Sequence, residues 1–210
     1  MIKKAITLII GYMTFVSFGL PHKNPPRYGA AIYGYYSTFE DYKSGNLVKM
    51  DSGIGISYVL RRFFIDFENN GSKEKIKCVD IWGFMFKNQL FRINHTNLED
   101  DIYSVESAGK VVYYTNGWMK INDLTGKNFC FGTVHTASRE IPNYPGGYNY
   151  FSESINSQMF PVDTKKEYEG FKEKFGSRYK ELFDCIESKN PKLKPIMMGW
   201  TIKACIKDFN

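Results

Sequence analysis

The feature that most constrains the fold is a change of hydrophobic period partway along the chain. From Leu47 onward apolar residues recur at every second position: Ile54, Ile56 and Tyr58, then Phe63, Ile65 and Phe67. Past residue 163 the repeat becomes three or four, through Tyr168, Phe171, Phe175, Tyr179, Leu182 and Ile186. A period of two buries one face of a strand, whereas a period near 3.6 buries one stripe of a helix. The first pattern is cut by turn residues at Asn70-Gly71, Lys87-Asn88, Gly109-Lys110 and Asn116-Gly117. Asn-Gly is the strongest of these signals, because both central positions of a tight hairpin turn need positive φ. Residues 46–135 offer no helical stripe of useful length, so parallel βαβ crossovers are excluded. The expected class is α+β, a meandering antiparallel sheet of short strands over about residues 30–135 with C-terminal helices packed on it.

Local punctuation refines this outline. Gly29 to Tyr36 reads as a short strand, and Ser37-Thr38-Phe39-Glu40 as a capping box opening a short helix that Gly45 stops. Residues 140–162, with Ile141-Pro142 and Pro145-Gly146-Gly147, read as a connection, and Phe129 to Val134 as a late strand. Thr164-Lys165-Lys166-Glu167 is a second capping box. It opens one helix over about 164–188, weakened by Gly176 and ended by Asn190-Pro191. A second helix is expected over about 196–209, with Met198, Ile202, Cys205 and Phe209 on one face.

The first nineteen residues carry an address. Lys3 and Lys4 precede an apolar run from Ala5 to Phe18, and Ser17 and Gly19 supply small residues before Leu20-Pro21. Basic, apolar and small-residue regions in that order make a secretory signal peptide, with a retained anchor as the alternative. The run is short of the roughly 20 residues a membrane span needs. Residues 20–28 then form a Pro-rich extended lead, and 29–210 a single domain with no membrane span after signal cleavage. The expected location is periplasmic or secreted.

In an oxidising compartment cysteines pair. Cys78, Cys130, Cys185 and Cys205 allow three pairings, which sequence alone leaves open. Cys185–Cys205 leads, because both fall on the C-terminal helical stripes. None is spaced as C-x-x-C, which removes a thioredoxin-like or zinc-ribbon reading.

Catalytic signals are sparse. G-x-S-x-G and H-E-x-x-H are absent from the sequence. Cys130–His135 and Cys78–His95 are conceivable thiol–imidazole dyads, and His22 lies in the N-terminal lead. Cys130, between Phe129 and Phe131, reads as a buried thiol. His95, Asp100 and Asp101 lack a recognisable metal-ligand spacing, and Glu99-Asp100-Asp101 reads as an acidic loop. No catalytic residue, metal or cofactor is assigned. Asn94-His95-Thr96 matches a glycosylation sequon, which matters only in a eukaryotic secretory route.

Nor does charge point to nucleic acid. From Pro161 to Asn210, 11 Lys and Arg interleave with 8 Asp and Glu, the pattern of a solvated helix face. The abundant aromatics are better candidates, since Tyr and Trp faces stack on sugar rings and loops on a β scaffold carry such sites. Tyr33, Tyr36, Tyr148 and Tyr150 are the candidate binding residues, with core packing as the competing role.

Ile81-Trp82-Gly83-Phe84, Leu90-Phe91-Arg92-Ile93 and Gly109-Lys110-Val111-Val112-Tyr113-Tyr114 resemble a group of uncharacterised secreted proteins of Gram-negative bacteria. Thr38-Phe39-Glu40-Asp41-Tyr42, Phe151-Ser152-Glu153-Ser154 and the terminal Asp208-Phe209-Asn210 add to the likeness. The resemblance implies an envelope or secreted protein and brings no site residues with it. Trp82-Gly83 reads physically as a buried aromatic followed by a kink or bulge. The function expected is a non-enzymatic binding or envelope-associated domain whose partner is an envelope protein or a glycan. A glycan-binding module and, behind it, a hydrolase with acidic residues in a cleft are the alternatives.

Overall fold

Two hairpins anchor the architecture. Asn70 and Gly71 (φ 51° and 73°) join β4 (Arg62–Asn69) to β5 (Ser72–Lys77), and Lys87 and Asn88 (φ 49° and 66°) join β6 (Gly83–Phe86) to β7 (Gln89–His95). A computed structural model describes residues 31–59, 62–95, 100–126 and 149–210. The remaining strands are β1 (Tyr33–Tyr36), β2 (Val48–Met50), β3 (Ser52–Val59), β8 (Asp100–Ser107), β9 (Val112–Asn116), β10 (Asn149–Ser152) and β11 (Phe160–Pro161). Five α-helices among the described residues accompany them: α1 (Phe39–Ser44), α2 (Gly117–Thr125), α3 (Lys165–Phe175), α4 (Lys180–Lys189) and α5 (Pro195–Phe209). The class is α+β, as expected.

The strands form two antiparallel sheets where the sequence reading has one. The larger runs β11-β10-β9-β8-β7-β6-β1-β2 and the smaller β3-β4-β5. Splitting is a tertiary matter: β3–β5 fold over as a unit and lay Ile56, Phe63, Ile65 and Phe67 on the large sheet, against Phe84, Phe86, Phe91, Ile93 and Ile102. Lys73, Lys75 and Lys77 on the open edge of β5 discourage further strand addition.

That same face of the large sheet continues across β9 and β10, where α3, α4 and α5 cover it. Tyr113 and Phe151 pack there against Tyr168, Phe171, Phe183, Met198 and Ile202. One sheet face thus carries two cores side by side. On the opposite face, Tyr103, Val112 and Tyr114 pack beneath Tyr150, Ile155 and Met159.

Five local readings are corrected. The capping box of α1 pairs Thr38 with Asp41, not Ser37 with Glu40, while Gly45 (φ 72°) does end the helix. Asn116-Gly117 opens α2 inside the stretch read as helix-free, with Asn116 Oδ1 accepting from the Met119 amide at 3.3 Å. The single helix over 164–188 is two, because α3 ends at Gly176 and α4 starts four residues later, giving three C-terminal helices. The connection 140–162 contains β10 and β11, too short for a periodic signal. At Trp82-Gly83 the register is regular, and the glycine serves close approach: a Cβ there would lie 2.5 Å from the Phe91 carbonyl oxygen. Thr164 caps α3 with Glu167 as its reciprocal partner. The 1–19 leader, the 20–28 lead, the Phe129 to Val134 strand and residues 140–148 lie outside the described residues. No helix among the described residues is long and apolar enough to cross a membrane.

Candidate binding surface

The tyrosines singled out in the sequence do not converge. Tyr33 meets Phe86 edge-on at 5.3 Å on the small-sheet face. Tyr36 lies on the opposite face, edge-on to Tyr42 at 5.4 Å. Tyr150 shares that face but sits on β10, five strand spacings away, or roughly 24 Å, edge-on to Tyr103. All three are half-buried, and burial raises the phenols of Tyr33 and Tyr36 above their ordinary value. Tyr148 lies outside the described residues.

The chemistry-bearing residues are similarly dispersed. Cys78 is buried in a single 3-10 turn (Cys78–Asp80) among the apolar side chains of the small-sheet core. His95 ends β7, its Nε2 at 3.1 Å from the Ile81 carbonyl oxygen. Asp101 accepts from the Tyr103 hydroxyl at 3.1 Å. No group of three or more His, Cys, Asp or Glu side chains suited to a metal occurs among the described residues. His22, Thr96, Glu99, Cys130 and His135 lie outside them. Cys185 and Cys205 are joined by a disulfide that ties α4 to α5.

Two polar clusters escaped sequence reasoning. Glu106 occupies the bulge where β8 slips against β9 between Val105 and Ser107. Its Oε1 accepts from Ser104 and Thr115 hydroxyls at 2.9 Å, and Lys120 and Lys203 approach at 3.8 and 3.9 Å. Nearby, the Asn149 amide and side chain donate to Asp163 at 2.7 to 3.0 Å, while its Oδ1 accepts from the buried Tyr113 hydroxyl. Burial, then the charges of Glu106 and Asp163, push the Tyr113 phenol far up. Both carboxylates are engaged by built-in donors, so the clusters act as clamps between β8, β9, α2 and α5 and between β10 and the start of α3. Apart from Ser104, two residues from Glu106, their partners come from other elements, and no local pattern announces them.

On the opposite face Arg92 is only 7% exposed. Its Nη1 donates to the Ser157 carbonyl at 2.9 Å and to the Tyr114 hydroxyl at 3.3 Å, while Nε has no partner among the described residues. Trp82 Nε1 donates to Asn156 Oδ1 at 2.9 Å, and its ring stacks on Tyr42 at 4.6 Å. These contacts fasten the segment before β11 and the helix α1 onto the sheet.

The outward side of α5 is different: apart from the contact of Lys203 with Glu106, its side chains are left exposed. Met198, Ile202, Cys205 and Ile206 bury one stripe of the helix. Trp200 sits two residues, or about 200°, from Met198 and Ile202, and therefore points away from the core. It is 75% exposed, with Ile196 and Met197 beside it at 55% and 43%. Ile196, Trp200, Lys203 and Lys207 follow one another at steps of four, three and four, a single stripe along the helix. Lys192 and Lys194 are exposed just before it. From Lys189 to Lys207 the chain has five lysines and no Asp or Glu. By contrast, the shallow groove of about 430 Å³ along α3 and α4 carries charges of both signs, with Lys172 paired to Glu187 and Lys180 to Asp184.

No known protein family, curated protein or solved structure matches the chain.

Proposed function

We propose that the chain is an exported, non-enzymatic binding domain that works at the cell envelope, in the periplasm or outside the cell, and that α5 is its contact face. The observation that carries this reading is Trp200, the most exposed large apolar side chain among the described residues, with Ile196 and Met197 at its side. Scattered single apolar residues on a surface need no explanation, but three contiguous ones around a tryptophan mark an interaction site. Export is supported by the basic, apolar and small-residue order of the first nineteen positions. Binding is favoured over hydrolysis because Glu106 and Asp163 are each occupied by internal donors. It is favoured over glycan stacking by Tyr33, Tyr36 and Tyr150 because each of those rings packs edge-on against another.

Fractionation of a cell producing the tagged chain tests the reading. The expected result is an envelope-associated product beginning near Leu20, whose association is lost in a Trp200→Ser/Ile196→Ser variant of unchanged melting temperature. A cytosolic product retaining Met1, or a variant that stays with the envelope, refutes it.

A further inference from the structure

We infer that the α5 face docks on an anionic phospholipid surface, Trp200, Ile196 and Met197 entering the interface and the flanking lysines meeting the headgroups. The inference rests on α5 being the contact face and names what covers it. Geometry is the first support. Ile196 and Trp200 are one turn apart, about 6 Å along the axis, so a flat surface touches both at once, with Met197 beside them. Lys192 and Lys194 lie before this apolar tip and Lys203 and Lys207 continue its stripe, so positive charge brackets it at both ends.

Composition is the second. Tryptophan belongs at the boundary between hydrocarbon and water, and lysines lay their stems on apolar surface while keeping the ammonium wet. Protein interfaces, by contrast, are depleted in lysine and prefer arginine. The stretch from Lys189 to Lys207 contains no arginine. A second copy of the chain is disfavoured, because a two-fold contact through this face would set the lysines of one copy against those of the other. Among the described residues the carboxylate paired with the stripe is Glu106, 3.9 Å from Lys203, whose side chain stays 55% exposed.

Rigidity is the third. The Cys185–Cys205 bond fixes the helix from behind, so the tip is held in place before any surface is met.

The test is co-sedimentation of the full chain with vesicles of phosphatidylglycerol and phosphatidylethanolamine, and with vesicles of phosphatidylcholine alone. The N-terminal apolar run of an unprocessed chain binds vesicles too, so the readout is the difference between chains identical outside α5. Binding to the anionic vesicles is expected to fall about tenfold or more in Trp200→Ser/Ile196→Ser. A similar fall is expected in Lys192→Gln/Lys203→Gln, with the wild-type difference shrinking as salt screens the charges. Lipids brominated near the headgroup should quench the fluorescence that Trp200→Phe removes. Equal vesicle binding by wild type and both variants, or no quenching of the Trp200 signal, overturns the lipid assignment. A photoreactive group in place of Ile196 separates the two failures. If it captures one protein reproducibly while vesicles are ignored, the occupant is a protein and α5 stands as the contact face. If neither lipid nor protein is captured, both readings fall.

Discussion

Removing the Cys185–Cys205 bond should cost the domain more than any other two-atom change, and the size of the effect follows from the loop it closes. The bond joins residues 20 apart in sequence. Closing a loop of that length removes chain entropy from the unfolded state worth about 3 kcal/mol at room temperature. Cys205 is buried in the helix-covered core and Cys185 packs against it, so replacing both by alanine also leaves a small void. For a domain of this size each kcal/mol moves the melting temperature by about 2–4 °C, giving an expected drop of about 10 °C. The assay is a thermal melt followed by far-ultraviolet circular dichroism on wild type and on Cys185→Ala/Cys205→Ala, both in non-reducing buffer. Using the variant isolates this bond from the state of the other cysteines. A melting temperature within about 2 °C of wild type would refute the reasoning, since it would mean that α4 and α5 stay together without the link.

Further outcomes follow from the packing. Glu106→Gln should destabilise by about 1–3 kcal/mol in denaturant unfolding, because it removes the charge that Lys120 and Lys203 share. Lys203→Gln should cost less, as its side chain is largely exposed. Gly83→Ala should cost about 1–3 kcal/mol by forcing a methyl onto the Phe91 carbonyl; an unchanged midpoint would show that β6 can yield there. Burial raises the phenols of Tyr103, Tyr113 and Tyr168 above the ordinary value. The folded state therefore holds protons that the unfolded chain releases, so the contribution of these tyrosines to stability is constant below about pH 10 and falls as pH climbs past it. Phenolate absorbance should show these residues titrating only as the protein unfolds; early, reversible titration of all 15 tyrosines would contradict the packing.

Part of this organisation is legible in the amino-acid order, and particular residues show why. Asn70-Gly71 and Lys87-Asn88 turn the chain because their own backbone tolerates positive φ. Thr164 starts a helix because its hydroxyl and the Glu167 carboxylate reach amides three residues away. Glu106 gave no warning, since its partners come from α2, from α5 and from a neighbouring strand. Arg92 sits in a strand motif with three apolar neighbours, yet its carbonyl partner is 65 residues downstream. The inner stripe of α5 shows in its spacing and Trp200 does not, because a hydrophobic side chain off the stripe reads as noise until the helix has a core to face.

The amino-acid order by itself determined the α+β class, the hairpins, the capped start of α3 and the reach of α5, because each depends on bonds closed within a few residues. Only the tertiary structure decided that β3–β5 separate as a second sheet, that one sheet face carries two cores, and that Trp200 is left in the open. Those outcomes depend on which distant surfaces exclude water from each other, and that competition is settled only when the whole chain has condensed.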